Sequence, residues 1–487
     1  MLTLLKKEFN KTYTENGAVT HQTTMSDCLD FFASAGALRQ SSPDEITMRF
    51  MRAYAEDSDM AMKILFYTRD VRGGLGERRT FRAIMRWLCE NHPQSVQKNM
   101  KYIAEFGRCD DLLCLMDMGF KKEVIEIVKE QLAEDVLNMT RGESISLMAK
   151  WLPSINASSD ETVKQAKVIA KALGMSFGDY RKVLSRLRNH LRIIENNLRT
   201  RDYTFDYSKQ PSKAMFKYRG AFYRNDRERY TDFLGKVTRG EAKLNTGNVM
   251  PYEIIAPVVS GRYNKEIHDT GTLNATWMHL EDFTDGRNAI AVVDGSGSMY
   301  CGGNPMPASV ALSLGLYFAE RNTGAFKDHF ITFSHTPRLV EVKGKNIVEK
   351  IKYAMSFNEV ADTNIEAVFK LILKTAVLNG VKQAELPETI YIISDMEFNH
   401  CASGADITNF QNAKKLFEKY GYKLPQVVFW NVNSRNIYQP VTMNEQGVVL
   451  VSGCTPRIFS QIAAGNFSPY EFMLDVINSE RYADIAA

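Results

Sequence analysis

The sequence predicts a multidomain protein: an α-helical repeat array of short paired helices, followed by an α/β unit built on a doubly wound parallel sheet. Three observations carry this. Through the first half, apolar residues recur at three- and four-residue steps, the mark of amphipathic helices. After about Asp285 the pattern changes to short apolar β-type runs that alternate with helical periods, as in βαβ units. The chain has 487 residues, more than a single core usually organises, so a division into residues 1–270 and 285–487 is expected.

In the first half the periodicity places helices over about Pro43 to Glu56, Asp59 to Tyr67, Glu77 to Glu90, Pro93 to Phe106 and Lys121 to Glu134. Turns fall at Gly73-Gly74, Asn91-His92-Pro93, Gly107 and Gly119. Ser58, Ser95 and the Ser158-Ser159-Asp160 cluster are candidate N-caps, and Gly174 stops the helix that ends at Leu173. Consecutive short helices joined by tight turns suggest an α-solenoid, although no clean repeat period is present. The longest helix is expected over Phe177 to Thr200, with Tyr180, Val183, Leu184, Leu187, Leu191, Ile194 and Leu198 as one buried stripe. In the second half, strands are expected to end at Asp294, Phe333, Ile393, Trp430 and Val451. Helices over Pro307 to Glu320, Asn364 to Leu378, Asn409 to Lys419 and Tyr470 to Ser479 alternate with them.

Composition narrows the function classes. No apolar run reaches the roughly 18–20 residues needed to cross a bilayer, and MLTLLKKEFNK carries no secretory pattern. The seven cysteines, Cys28, Cys89, Cys109, Cys114, Cys301, Cys401 and Cys454, form no CxxC pair and no zinc spacing. Reduced thiols in a cytoplasmic protein are the expectation. The net charge is +4, but residues 180–245 hold 17 Lys and Arg against 7 Asp and Glu. A local surplus in a near-neutral chain points to one anion-binding face.

The second half also holds a candidate metal constellation. Ligands of open α/β sheets collect beyond the C-terminal strand ends, where Asp294 and Asp395 fall. The loop Asp294-Gly295-Ser296-Gly297-Ser298 offers one carboxylate and two hydroxyls within five residues, and Thr363 offers another hydroxyl just before a helix. A donor set made only of oxygens suits Mg²⁺ or another hard divalent cation. A lone loop of this kind is equally a strand-to-helix turn with a capping serine. Three parts in order are more specific. DGSGSM, the Ala361-Asp362-Thr363-Asn364 turn and Ser394-Asp395-Met396-Glu397-Phe398 together resemble the metal-ion-dependent adhesion site of von Willebrand A domains, a Rossmann-like fold. The resemblance implies that Asp294, Ser296, Ser298, Thr363 and Asp395 hold the ion, the serines and threonine directly and the aspartates partly through water. An open position would take a partner's carboxylate. Glu397 and His400 are expected at the rim.

A helical array before such a domain resembles the TROVE-domain proteins, the family of the Ro autoantigen, and more closely a TROVE-like family of similar length. The segments that carry this are Tyr67-Thr68-Arg69-Asp70-Val71-Arg72-Gly73-Gly74-Leu75-Gly76-Glu77-Arg78-Arg79, Phe106 to Leu113, Ala149 to Ser154, Tyr180 to Leu184, Pro211 to Met215 and Phe429-Trp430-Asn431. Cys109 stands where these families usually have tryptophan. The resemblance implies HEAT-like repeats, open or closed into a ring, and binding of single-stranded RNA ends and structured small RNA in a ribonucleoprotein. Clustered Arg and Lys neutralise phosphates, and interleaved aromatics can stack bases. The candidates are Arg69, Arg72, Arg78, Arg79 and Arg82, then Arg181, Lys182, Arg186, Arg188, Arg192, Lys213, Lys217 and Arg219. The expected function is a non-catalytic RNA-binding scaffold or RNA quality-control protein that binds a metal and an acidic protein partner, and no membrane. Two alternatives stand beside it: a metal-dependent protein-interaction module without RNA, and a hydrolase holding two metals on Asp294, Asp395 and Glu397.

Overall fold

The computed structural model describes residues 1–261, 270–358, 363–399, 407–462 and 467–487. Several helices of its first half begin where local chemistry dictates. Helix Pro43–Glu56 opens with Ser42 Oγ accepting from the Glu45 N–H at 3.1 Å, a proline at its first position and acids in its first turn. Its buried Ile46, Phe50 and Ala53 face helix Asp27–Ser34, where Phe31 meets Phe50 edge-on at 5.5 Å. Ser159 caps helix Asp160–Ala172 and Gly174 follows with φ 68°, both as expected. The cap of helix Ser58–Arg69 is Asp57 rather than Ser58.

Two expected helices are broken. The stretch Pro93 to Phe106 divides into Pro93–Asn99, a 3₁₀ turn Met100–Tyr102 and Ile103–Phe106. Ser95 lies inside the first piece and does not cap it. Buried Asn99 interrupts the run, its Nδ2 donating to the Ser95 carbonyl at 2.7 Å and to the Ala486 carbonyl at 2.6 Å. The stretch Phe177 to Thr200 divides into Phe177–His190 and Ile194–Thr200, with Arg192 at φ 47° between them. Its single apolar stripe serves two cores. Leu184 and Leu187 join the large central cluster, whereas Ile194 joins a satellite of Tyr207, Phe222, Tyr230 and Phe233. One straight helix cannot reach both.

The second half holds a six-stranded sheet. A small antiparallel hairpin, β1 (Lys11–Tyr13) and β2 (Val19–His21), precedes it near the N-terminus. The sheet strands are β3 (Ala289–Asp294), β4 (His329–Phe333), β5 (Leu339–Glu341), β6 (Thr389–Ser394), β7 (Gln426–Asn431) and β8 (Val448–Ser452). Their order is β5-β4-β3-β6-β7-β8, parallel except for β5. The sheet is therefore mixed, because only residues 334–338 join β4 to β5, too few for a parallel crossover. Alternate residues face opposite ways: Ala291, Val293, Tyr391 and Ile393 to one core, Ile290, Val292, Ile390 and Ile392 to the other. Helix Pro307–Arg321 covers the first face, and helices Ile365–Asn379 and Asn409–Lys419 cover the second.

The halves interlock. The cluster on the first sheet face continues without a break into the helical half through Phe31, Phe32, Phe66 and Phe472. The chain ends are exchanged: the β1–β2 hairpin lies on the sheet unit, bridging Gly17 to Asn399 and His21 to Gln439. The C-terminal tail lies on the helices, where Arg481 and Tyr482 meet the buried Asp70 carboxylate. Among the described residues no helix is long and apolar enough to cross a membrane.

The helical half also holds a buried charge network. Asp111, fully enclosed, accepts from Arg69 at 2.6 Å and Arg82 at 2.7 Å, and receives the Arg108 N–H at 3.0 Å. Arg69 is 1% exposed, so its charge depends on this partner. Removing one member of a buried pair strands the other. Asp111→Ala should therefore lower stability by about 3–5 kcal/mol, read from the urea midpoint; an unchanged midpoint would show that Arg69 finds other solvation.

Candidate functional site

The strand order reverses between β3 and β6, and the C-terminal ends of these neighbours carry Asp294 and Asp395. This is the crevice where open α/β sheets take ligands. Asp294 is buried; its Oδ1 accepts the Ser296 N–H at 2.8 Å and its Oδ2 accepts the Ser394 hydroxyl at 2.6 Å. Ser296 Oγ and Ser298 Oγ lie 3.1 Å apart on the loop. After Asp395 the chain turns sharply, with Met396 at φ 69°, a left-handed conformation costly for a residue with a side chain. That turn lets the Met396 N–H reach Ser394 Oγ at 3.1 Å.

Asp294 and Asp395 feel one another. Burial first, and then the neighbouring Asp395 charge, push the Asp294 carboxyl up to about 7, against hydrogen bonds from Ser394 and Ser296. Asp395 Oδ2 is buried and accepts no hydrogen bond from the described residues, and its ion-pair partner Arg435 Nη1 stands 3.6 Å from it. Two adjoining carboxylates, a buried carboxylate oxygen without a hydrogen bond and two facing hydroxyls fit a hard divalent cation. Among the described residues no group of three His, Cys, Asp or Glu gathers to hold a metal, here or elsewhere, so this site's donors are two carboxylates and hydroxyls.

Thr363 stands on the Asp395 side. Its buried hydroxyl donates to the Glu397 carbonyl at 2.6 Å and lies 3.2 Å from Asn399 Oδ1. Ala361, Asp362 and His400 fall outside the described residues. Glu397 is a buried anchor rather than a rim residue. Its carboxylate accepts the Glu15 N–H at 2.8 Å and Asn436 Nδ2 at 2.6 Å, and burial raises its pKa. Glu15, Asn16, Arg435 and Asn436 were not foreseen, because nothing local in the sequence ties positions 15 or 435 to a loop at 294. Ser394 was in view as part of the Ser394–Phe398 segment, without a role.

The basic candidates separate into two environments. Arg69, Arg78 and Arg82 surround Asp110 and Asp111. Arg72 reaches the Glu105 carbonyl, and Arg79 the Ser41 carbonyl at 2.6 Å. Arg181, Arg186, Arg188 and Arg192 instead line a cavity of about 1310 Å³, which Lys150, Arg199 and Lys209 also line. The acids on its wall are Asp202 and Asp206, each occupied by Thr204 or Ser208 two residues on. Arg188 is partly committed, donating to the carbonyls of Ala149 at 2.8 Å and Leu152 at 2.6 Å. Lys182 is exposed, Lys213 meets Glu253, Lys217 lies over the Tyr218 ring and Arg219 over Phe216, all apart from the cavity lining. The aromatics are mostly core, but Phe205 reaches the cavity wall.

Neutralising one of two adjoining buried carboxylates relieves their repulsion at the expense of the ion they would hold. Asp395→Asn should stabilise the protein in EDTA by about 1 kcal/mol and remove any rise in melting temperature on adding Mg²⁺. A variant that melts below the parent in EDTA would refute this account of the pair.

Comparisons with known proteins cover nearly all of the chain. A solved structure, the crystal structure of Deinococcus radiodurans RO (RSR) protein, is similar at TM-score 0.41 and 14% identity, covering 93% of this chain and 99% of the other. The uncharacterized protein L728 of Acanthamoeba polyphaga mimivirus is 30% identical over 96% of this chain and 87% of its own length. The domain of unknown function DUF7788 matches residues 288–467, which hold the sheet and its Asp294–Ser298 loop. The domain of unknown function DUF2828 matches residues 14–141 and 120–286, more than half of the sequence, and the chain belongs to that family.

Proposed function

We propose that this protein is an RNA-binding scaffold or RNA quality-control protein. In this reading the helical half takes the phosphodiester backbone, and the sheet unit is a von Willebrand A domain that grips a divalent metal and, through it, an acidic protein partner. The observation that carries the RNA reading is the cavity: about 1310 Å³, with seven Lys and Arg side chains against two Asp on its lining. That volume exceeds the roughly 300–1,000 Å³ typical of small-molecule pockets. Exposed Arg181, Arg186, Arg192 and Arg199 present charge that no carboxylate among the described residues neutralises by a hydrogen bond, the footprint of a polyanion site. Phe205 offers a ring at the same wall. The TROVE-like segments of the sequence support the same reading.

The metal reading rests on Asp294, Ser296, Ser298, Thr363 and Asp395. Their hydroxyl-rich set suits ligation more than hydrolysis, which would want further carboxylates and a placed base. The bound cation would supply a Lewis-acidic position for a partner's carboxylate, and the chain's own residues would orient it.

The test is binding of a fluorescent single-stranded RNA across a salt series. Affinity should fall steeply as salt rises. Arg186→Ala with Arg192→Ala and Arg199→Ala should weaken binding and flatten the log–log salt slope by about 2, at roughly 0.7 per lost single-strand phosphate contact. If the parent retains no RNA at about 50 mM salt, the RNA reading fails and a metal-dependent interaction module without RNA takes its place.

A further inference from the structure

The β1–β2 hairpin belongs to the helical half by sequence and to the candidate metal site by position. Thr14 Oγ1 donates to the Phe398 carbonyl at 2.6 Å, and Asn16 Nδ2 donates to the Glu397 carbonyl at 2.7 Å and lies 3.4 Å from Thr363 Oγ1. The backbone at Gly17 bridges Asn399. These contacts clamp the hairpin turn over the segment that follows Asp395. The Glu15 side chain does something different. Its carboxylate accepts Arg435 Nη2 at 2.6 Å and Asn436 Nδ2 at 3.1 Å, while Arg435 Nη1 stands 3.6 Å from the orphaned Asp395 oxygen. A continuous relay runs from Glu15 through Arg435 to the buried carboxylate.

We propose that Glu15 is an in-cis stand-in for the acidic residue of a protein partner, masking the donors that such a partner would engage. The inference rests on the reading of Asp294–Ser298 as a metal loop. The side chains of Glu15 and Arg435 are 45% and 36% exposed, and an ion pair so open to water is weak and exchangeable. The anchors of the turn do not pass through the Glu15 carboxylate: they use the Glu15 N–H, Thr14, Asn16 and the Gly17 backbone. Glu15 can therefore release Arg435 and Asn436 without detaching the hairpin. A partner's carboxylate then takes the two freed donors beside the cation. The partner is an acidic protein segment, because Arg435 and Asn436 present only donors to the Glu15 position.

The experiment uses the full chain and a fluorescent hexaglutamate peptide as probe, in Mg²⁺ and in EDTA. Glu15→Gln should bind the peptide about tenfold more tightly than the parent in Mg²⁺, the scale of one charge-assisted hydrogen bond. Adding Ser296→Ala and Ser298→Ala should cancel that gain, and Arg435→Gln should abolish binding while leaving the Mg²⁺-induced rise in melting temperature intact. Equal affinity of parent and Glu15→Gln, with the Mg²⁺ response preserved, overturns the mask but not the metal loop. A parent with no Mg²⁺ response overturns both. Peptide binding that is as tight in EDTA places the probe in the basic cavity and also overturns the proposal.

Discussion

Gly36 packs against the end of β8 so closely that a Cβ there would lie 2.5 Å from the Ser452 carbonyl oxygen, and its N–H donates to Ser452 Oγ at 2.9 Å. β8 is a sheet edge, and an uncovered edge is a template for unwanted pairing. Helix Asp27–Ser34 leads into this contact and straddles the edge: Leu29, Phe31 and Phe32 join the core on one sheet face, and Ala33 joins the core on the other. The glycine fixes how near the helical half can come. Close approach then brings the β1–β2 hairpin over the segments that follow β6 and β7, and the C-terminal tail over Asp70 and Asn99. Because both chain ends cross between the halves, the two units share a core and a set of anchors instead of a linker.

Burial sorts the positive charges by what they can do. A guanidinium taken out of water must be paired, so Arg69 is held by Asp111 and contributes to packing. The Tyr67–Arg79 and Phe106–Leu113 segments meet in this network, and their chemistry there is structural. Along the Phe177–His190 helix the carboxylates are sparse, and Arg181 and Arg186 stay in water around an open cavity while Arg188 is held by backbone carbonyls. Their mutual repulsion is tolerable only when screened by salt or met by an anion.

The candidate metal site stores the opposite cost. Asp294 and Asp395 are buried at adjoining strand ends, and the protein meets that cost with donors from Ser296 and Ser394 to Asp294 and with the Glu397 N–H 3.4 Å from Asp395 Oδ1. Among the described residues one oxygen of Asp395 is left without a hydrogen bond. Sites that break the rule of satisfied buried polar groups are where function concentrates.

The sequence by itself determined the elements and the chemical inventory. Apolar runs placed β3, β4, β6, β7 and β8, because the strand centres are continuously apolar, and the 3.6-residue period placed several helices to within a residue or two. That period left helices such as Ser212–Asn225, Arg227–Thr238 and Pro251–Val259 unmarked and ended Lys121–Arg141 early. The sequence also placed Asp294 and Asp395 at strand ends, since Asp294 follows an apolar run directly and Asp395 follows one after a single serine. Tertiary structure decided what no local pattern encodes. It broke the Phe177–Thr200 stretch because its stripe feeds two cores, turned β5 antiparallel through a short connection, and gave Arg69 and Arg186 different fates through their neighbours. It also brought Glu15, 279 positions before Asp294 in the chain, to the same site. Side-chain periodicity reports which face is buried, not which distant segment buries it. The partners of a residue are therefore fixed only when the chain has closed on itself.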